Sequence, residues 1–322
     1  MKNLYIFIAF LFFVLQGYAQ SADTISVDAI LKDDPETRIE LPEITYEVED
    51  VVVGAEEKEF SKGKHPAVVV TIPQATVEDV EDAMAKLIKS GMFKKVDKSG
   101  GELSMMETTL KEISKEPMNV YSLVQPAEEG GTRMWAFFEQ DSVFVGESQN
   151  QQAFLKAKDV VRNFGVEVYK DAVRKELEME QNKLDELQKN LGKMLKENAG
   201  LVERNRLNES KISLKEGDIE SNLSNQENKR KEIQSQHQLV LSASGDVRKE
   251  REKQSKSLEK DLKKLQKENE SMHKDIADFK TDIAKAEHEI DMNLNHQQIE
   301  KQKIAKQLWQ VKSVEAKMNA IK

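Results

Sequence analysis

The feature that most constrains the fold of this 322-residue chain is a heptad pattern of apolar side chains that is broken once. With Leu177 at position a of the heptad abcdefg, the first run keeps one frame as far as Val240, although its distal half is weakly apolar. With Leu262 at position a, the second run keeps one frame as far as Met318. Charged and polar residues fill most of the positions between the apolar ones. Such a pattern predicts paired helices with solvated flanks, which is a coiled coil.

The break between the two runs is the stretch LVLSASGDVRKE. Gly245 is a helix breaker in this stretch, and Ser242 and Ser244 are candidate helix caps. Asp246 follows at a helix start, where the positive end of the helix dipole favours an anion. These residues predict a turn over residues 242–246.

Two helical arms of nearly equal length flank this turn. If the chain folds back about Ala243, residue n faces residue 486 − n, so Met318 falls opposite Val168. The end of the chain then returns to the region from which the first arm departs, and it regains apolar residues suited to docking there. We therefore predict a long antiparallel coiled-coil hairpin.

The alternative is a single long helix that dimerises in parallel. A glycine in a helix interior costs only about 1 kcal/mol relative to alanine, so Gly245 alone does not prove a turn. The equal arms and the Ser, Gly and Asp residues of the break favour the hairpin. A homo-oligomer of hairpins is compatible with the same heptads.

An α+β domain is predicted over residues 41–165, as a small two-layer α/β sandwich with a mainly antiparallel sheet. Its best-specified helix, TVEDVEDAMAKLIKSG, has Thr76 as N-cap, Asp79 three residues on and Gly91 as left-handed C-cap. The turn signals DKSGGE and AEEGGT separate the later strands. The predicted strands are 44–53, 67–72, 93–97, 103–110, 119–125 and 132–145.

The helix that closes this domain is predicted to begin near Gln151 and to continue into the first arm. Gly165 lies within its broad apolar face, which we interpret as a site of close packing rather than a break. In the last strand we expect Trp135, Phe137 and residues 143–145 to line the core.

The first residues have the composition of a secretory signal, with one lysine, a run of twelve apolar residues and a cleavage site after Ala19. A flexible leader is predicted to follow. We expect export to the periplasm or cell surface of a Gram-negative bacterium, with no membrane span after signal cleavage. The predicted divisions are 1–19 signal peptide, 20–40 leader, 41–165 α+β domain, 166–241 first arm, 242–246 turn and 247–322 second arm.

The distribution of charge argues against a nucleic-acid partner. Residues 41–150 carry 11 basic and 21 acidic side chains, whereas residues 151–322 carry 35 basic and 31 acidic side chains. The compact part therefore lacks the clustered basic face that binds phosphates. Because the chain has no cysteine, thiolate metal sites, Cys nucleophiles and disulfides are excluded.

The remaining residue types do not assemble into a reactive motif. In AEHEIDMNLNH, Met292 takes the place of the second histidine that a zinc-binding motif starting at His288 would need. The glycine pairs in KSGGEL and EEGGTR lack the spacing of a phosphate loop and the helix that follows one. We expect no enzyme activity, no metal and no cofactor.

Several stretches together resemble a group of uncharacterised exported proteins of the Bacteroidota. They are the signal ending YAQ, the strands VVVTIP and NVYSLV, the helix TVEDVEDAMAKLIK and the segment EVYKDAVRKELEMEQNKLDELQKNL. The resemblance spans residues 65 to about 195. It implies an envelope location and a small α/β domain followed by a coiled coil, and it implies no activity.

The function that these features favour is that of a non-catalytic structural or interaction protein of the cell envelope with protein partners. The coiled coil would act as a spacer, a bridge or an oligomerisation arm. The alternative is a small-ligand or peptide binding module that uses the α/β domain. The candidate interaction surface comprises Ser242, Ser244, Gly245, Asp246 and Trp135.

Overall fold

The computed structural model describes residues 42–89 and 95–322, so the predicted signal peptide, leader and Gly91 cap lie outside the described residues. The predicted α+β fold, an antiparallel sheet followed by a helical hairpin, is confirmed. The chain forms two compact units, which we name the sheet unit (residues 42–186 and 304–322) and the hairpin unit (residues 187–303). In chain order the elements are β1 (Val52–Phe60), β2 (Gly63–Ile72), α1 (Val77–Ile88), β3 (Asp97–Ser99), β4 (Glu102–Thr108), β5 (Met118–Pro126), β6 (Thr132–Gln140), β7 (Val143–Phe144), α2 (Gln151–Ser242) and α3 (Gly245–Ala320).

The strands of the sheet unit pair in the order β1-β2-β6-β5-β4-β3, with β7 on β6, and every pair is antiparallel. The predicted meander is present, because β3 to β6 pair in chain order. Both predicted glycine turns connect its strands, with positive φ at Gly100, Gly101, Gly130 and Gly131. Glycine adopts this left-handed backbone without a steric penalty, which makes such turns recognisable in a sequence.

The predicted strand 44–53 is wrong over most of its length. Residues 42–51 form no strand, and β1 instead runs through the charged stretch EEKE. Ile44 and Tyr46, two of the apolar residues behind the prediction, are exposed. Among the described residues β1 pairs only with β2 and so forms an edge of the sheet. A charged strand is stable at this place, and its charge discourages pairing with another chain.

The predicted strand 132–145 is split into β6 and β7. Asp141 and Ser142 have φ of 51° and 64° and form a two-residue turn between the two strands. Reversal by such a turn requires positive φ at both positions, which Asp and other small polar residues adopt more readily than bulky ones. As a result Val143 is exposed, contrary to the expectation that it lines the core, whereas Val145 is buried as predicted.

Helix α1 has the predicted capping box. The Thr76 hydroxyl oxygen accepts the N–H of Asp79 (3.2 Å), and the Asp79 carboxylate accepts the N–H of Thr76 (3.3 Å). At the other end, Thr108 of β4 donates its hydroxyl to the Ile88 carbonyl (2.9 Å). A hydrogen-bonded ion pair from Lys175 of α2, together with Thr76, lowers the pKa of Asp79 and ties α1 to α2.

The first part of α2 covers one face of the sheet at the predicted close contact. A Cβ on Gly165 would lie 2.8 Å from Val51 Cγ1 and 3.0 Å from Val70 Cγ2 of β2. The helix approaches the sheet this closely because glycine has no side chain there. Tyr169, one turn further on, is completely buried, and burial raises the pKa of its phenol.

The last part of α3 belongs to the sheet unit, as the predicted return of the chain requires. Gln307 Nε2 donates to the backbone carbonyl of Glu180 (2.9 Å) and to its carboxylate (2.6 Å). Trp309 Nε1 donates to the Pro42 carbonyl (2.9 Å). Val311 and Val314 are buried, so apolar packing accompanies these polar contacts.

The hairpin unit consists of two antiparallel helices, so the alternative of one continuous helix is wrong. Helix α2 ends at Ser242, and two residues separate it from the start of α3. Contacts between the helices recur along the unit. Asn293 Nδ2 donates to Glu197 Oε2 (3.2 Å), Lys215 Nζ lies 2.9 Å from Asp275 Oδ2, and Gln236 Nε2 donates to the Arg251 carbonyl (3.3 Å).

The pairing register differs slightly from the predicted one. The relation 486 − n places Lys215 opposite Ser271, but its partner is Asp275, about one helical turn further along α3. The heptads give the reason, because an antiparallel coiled coil packs a positions of one helix against d positions of the other. Gln226, at an a position, accordingly donates to the carbonyl of Leu265, at a d position (3.4 Å).

Candidate interaction surfaces

The seam between the two helices of the hairpin unit contains many buried polar side chains. Two hydrogen-bonded pairs recur at a four-residue spacing, Gln226 Nε2 to Asn222 Oδ1 (2.7 Å) and Gln297 Nε2 to Asn293 Oδ1 (2.6 Å). A polar seam residue fixes register at a cost in stability. The buried polar seam residues are Asn198, Asn208, Asn222, Gln226, Ser255, Asn269, Asn293, Gln297 and Glu300.

One side of the hairpin unit carries exposed apolar residues. In an antiparallel pair the g positions of both helices lie on the same side and are flanked by c positions. The ion pair between Arg204 Nη2 and Glu289 Oε2 (3.3 Å) joins two g positions and marks this side. The exposed apolar residues at c positions are Leu207, Leu214, Met292 and Ile299.

The four predicted turn residues lie together at the end of the hairpin unit. Ser242 donates its hydroxyl to the Leu239 carbonyl (3.2 Å), and Gly245 has φ of 65°. Asp246 is in the first turn of α3 as predicted, and its fully exposed carboxylate lies 3.4 Å from Lys249 Nζ. Ser244 is exposed. Ser242 thus ends α2, Gly245 and Asp246 begin α3, and Ser244 lies in the two-residue connection between the helices.

Two apolar side chains beside this turn were missed at the sequence level. Leu241 is 77% exposed and Val247 is 59% exposed, one on each side of the turn. Their adjacency to SASGD is visible in the sequence. Together with the turn residues they make a mixed polar and apolar end surface.

The charge of the hairpin unit also changes along its length. Residues 229–267, which we name the turn segment, carry 12 Lys or Arg and 6 Asp or Glu, a balance of +6. The rest of the unit, residues 187–228 and 268–303, carries 12 basic and 16 acidic residues, a balance of −4. The turn segment is thus the basic end of an otherwise mildly acidic unit.

Trp135, the fifth predicted surface residue, is in the sheet unit and is only 5% exposed. Its Nε1 donates to the Glu56 carboxylate, and Lys58 Nζ lies over its ring, 4.2 Å from the centroid. Phe137, also expected in the core, is fully buried and stacks on Phe60 with centroids 4.1 Å apart. The burial of Trp135 leaves its ring little surface to offer a partner.

This aromatic cluster lies on the face of the sheet opposite to α2 and is covered by the β1–β2 turn. Ser61 in that turn donates its N–H to Glu102 Oε1 at the start of β4 (2.8 Å), although β6 and β5 lie between β2 and β4. Neighbouring strands are about 4.8 Å apart, so a flat sheet would keep these groups about 14 Å apart. The β1–β2 hairpin must therefore curl over the cluster, which makes the cluster a second small core.

A hydrogen-bonded network borders the cluster. Glu139 accepts from the Tyr121 hydroxyl (2.8 Å) and from Asn119 Nδ2 (3.1 Å). Burial alone would raise the pKa of Glu139, but these hydrogen bonds and the charges of Lys62 and His65 outweigh it and lower the pKa. Burial and the Glu139 carboxylate raise the pKa of Tyr121 to about 12. At neutral pH an ionised carboxylate therefore holds a protonated phenol, and the two join β5 to β6.

The grooves of the hairpin unit are shallow. One is lined by His288, Glu289, Met292 and His296 of α3 with Glu197 and Leu201 of α2. Within residues 42–89 and 95–322, no group of three or more His, Cys, Asp or Glu side chains is placed to hold a metal ion. Over the same residues no helix combines the length and apolarity that a membrane crossing requires.

Comparison with protein-family models, curated proteins and solved structures finds no match for the chain.

Proposed function

We propose that this chain is an exported, non-catalytic interaction protein of the cell envelope, in which the hairpin unit acts as a spacer or bridge and the sheet unit contacts a protein partner. The observation that carries the proposal is the antiparallel pairing of α2 with α3 over the whole hairpin unit. The contacts of Glu197 with Asn293 and of Gln236 with Arg251 lie near the two ends of this pairing.

A paired-helix element of this kind provides length and stiffness rather than an enclosed site. Residues 187–242 of α2 extend for about 80 Å at 1.5 Å per residue. The seam is filled layer by layer by side chains, and its polar layers hold the two helices in one register. A constant register supports the role of a spacer, because it gives the element one defined length.

The acidic surface of the sheet unit supports a role in contacting a partner. Glu57 and Glu59 are exposed on the edge strand β1, in the part of the chain where acidic residues outnumber basic ones. An edge strand with this charge favours partners with basic surfaces and disfavours indiscriminate strand pairing. Export is supported by the composition of residues 1–19.

The test is to shorten the hairpin in register and to follow contacts at both units. Deleting residues 201–221 together with 270–290 removes three heptads from each helix and preserves the facing of a and d positions. Photoreactive side chains are placed at Val143 of β7 and at Leu241 beside the turn, both of which are exposed. In intact cells we expect adducts from both positions of the full-length chain, loss of the Leu241 adduct on shortening, and retention of the Val143 adduct.

The matched control is the double variant Leu207→Ser with Leu214→Ser, which keeps the length of the hairpin unit and alters only the surface of the same segment. If length is what matters, this variant keeps both adducts. Adducts at neither position would contradict an interaction protein. Adducts that persist unchanged after shortening would contradict a spacer.

A further inference from the structure

We propose that the turn segment, residues 229–267, binds the anionic surface of a lipid bilayer. This inference rests on the proposed function and deepens it, because it assigns a ligand class to the contact surface at the end of the hairpin unit. It is carried by the placement of lysines on α3 and of apolar side chains beside the turn.

The lysines form one continuous stripe on the outward face of α3. In the heptad frame of α3 the b and f positions point away from the α2 seam. Between residues 249 and 267 every b and f position is lysine, and all six side chains are exposed. The stripe extends for about 27 Å at 1.5 Å per residue. Its members are Lys249, Lys253, Lys256, Lys260, Lys263 and Lys267.

These charges are largely available to a ligand. Lys249 pairs with Asp246 at 3.4 Å, but the other five lysines of the stripe form no ion pair within 4 Å with any residue that the structure describes. Acidic side chains nearby occupy other positions, and Glu252 is itself paired with Arg248 (3.1 Å). A row of positively charged side chains without acidic partners attracts a negatively charged surface.

The apolar residues beside the turn favour a bilayer over an acidic protein. Leu239, Leu241 and Val247 are exposed within a few residues of the connection between the helices. They are too few for a stable protein interface, which typically buries about 800 Å² on each partner. A bilayer, by contrast, accepts a few apolar side chains at the boundary between headgroups and acyl chains, while flanking lysines remain among the anionic headgroups.

The experiment is cosedimentation of the full chain with vesicles, made either of phosphatidylcholine alone or of equal parts phosphatidylcholine and phosphatidylglycerol. We expect sedimentation with the anionic vesicles only, weakening as salt is raised. Replacing Lys253, Lys256, Lys260 and Lys263 with Gln should weaken binding by about tenfold or more. Leu241→Ser with Val247→Ser should weaken it separately, since insertion of apolar side chains contributes independently.

Matched controls use the same unit away from the turn segment. Four other exposed lysines, Lys193, Lys196, Lys280 and Lys285, are replaced with Gln to give the same change in net charge, and Leu207→Ser with Leu214→Ser removes two exposed apolar residues. Both controls should bind anionic vesicles like the original chain. Circular dichroism of each variant verifies that the helices are retained.

Three results would overturn the proposal. One is equal sedimentation with both kinds of vesicle, or with neither. Another is an equal loss of binding in the matched controls. The third is binding that a soluble polyanion abolishes while Leu241→Ser with Val247→Ser has no effect, which would assign the stripe to a soluble anionic partner. These measurements use purified components. A negative result would therefore contradict lipid binding by the turn segment but would not bear on the proposed function, which the shortening test in cells addresses.

Discussion

Gly165 and Gly200 occupy the same helix, α2, in contrasting environments. Gly165 faces the sheet, where an added Cβ would press on Val51 and Val70. Gly200 is exposed in the hairpin unit, and an added Cβ would meet no atom of the described residues within 4 Å. The same residue type therefore permits close packing at one position and only weakens the helix at the other.

We predict opposite effects of alanine at these two positions on the free energy of unfolding. Gly200→Ala should stabilise the chain by about 0.5–1 kcal/mol, because alanine is the better helix former and the site is open. Gly165→Ala should destabilise it by roughly 1–3 kcal/mol, because a Cβ 2.8 Å from Val51 Cγ1 forces the helix and sheet apart. Urea unfolding followed by circular dichroism measures both. Equal effects of the two substitutions would contradict the assigned packing.

At the scale of residues, sequence patterns predict contacts that depend on local geometry. The capping box of Thr76 and Asp79 follows from their spacing at the start of one helix. Gly165 is recognisable as a site of close packing because the apolar face of the helix continues on both sides of it. The heptads place Leu241 and Val247 outside the a and d positions, and both are exposed. What the pattern did not flag is that these exposed positions carry apolar side chains, because only the a and d positions were searched for apolar residues. The lysine stripe of α3 was missed for the same reason.

At the scale of elements, the seam of the hairpin unit combines apolar and polar layers. Asn222 and Asn269 occupy facing d and a positions, and the buried Oδ1 of Asn269 has no hydrogen-bond partner among the described residues. A buried acceptor without a partner costs roughly 1–3 kcal/mol. Such a layer lowers stability, and it also penalises shifted registers in which the amides would face apolar side chains.

We predict that Asn269→Leu raises the stability of the helices by about 1–2 kcal/mol, because it removes the unpaired acceptor and adds apolar burial. The control is Ile276→Ala one heptad away, at a buried apolar a position, which should lower stability by about 2–4 kcal/mol. The helical signal during urea unfolding measures both changes. Destabilisation by Asn269→Leu comparable to that of Ile276→Ala would show that this amide is satisfied.

The sheet illustrates which elements sequence alone can predict. Glycine turns and the meander that they connect were predicted, because two adjacent glycines need no tertiary context. The edge strand β1 was misplaced, because its charged residues are tolerated only when the strand has a single neighbour. The end of β6 was missed, because Asp141 and Ser142 adopt positive φ without a glycine signal.

At the scale of the whole molecule, one turn decides how the chain is organised. Helices α2 and α3 each contribute to both compact units, and the chain enters the hairpin unit at residue 187 and leaves it at residue 303. The arm lengths predicted this return and its register to within about one helical turn, and the facing of a and d positions accounts for the difference. What binds at either unit depends on surfaces outside the heptad core, which periodicity does not describe.

The most direct test of this organisation is cross-linking of a single chain. The chain has no cysteine, so Gln226→Cys with Leu265→Cys introduces one facing pair. A short bismaleimide linker should join the two within one chain, giving a species of monomer mass with altered mobility on denaturing gels. The single variant Gln226→Cys should give no such species. Products that are exclusively covalent dimers would contradict the hairpin.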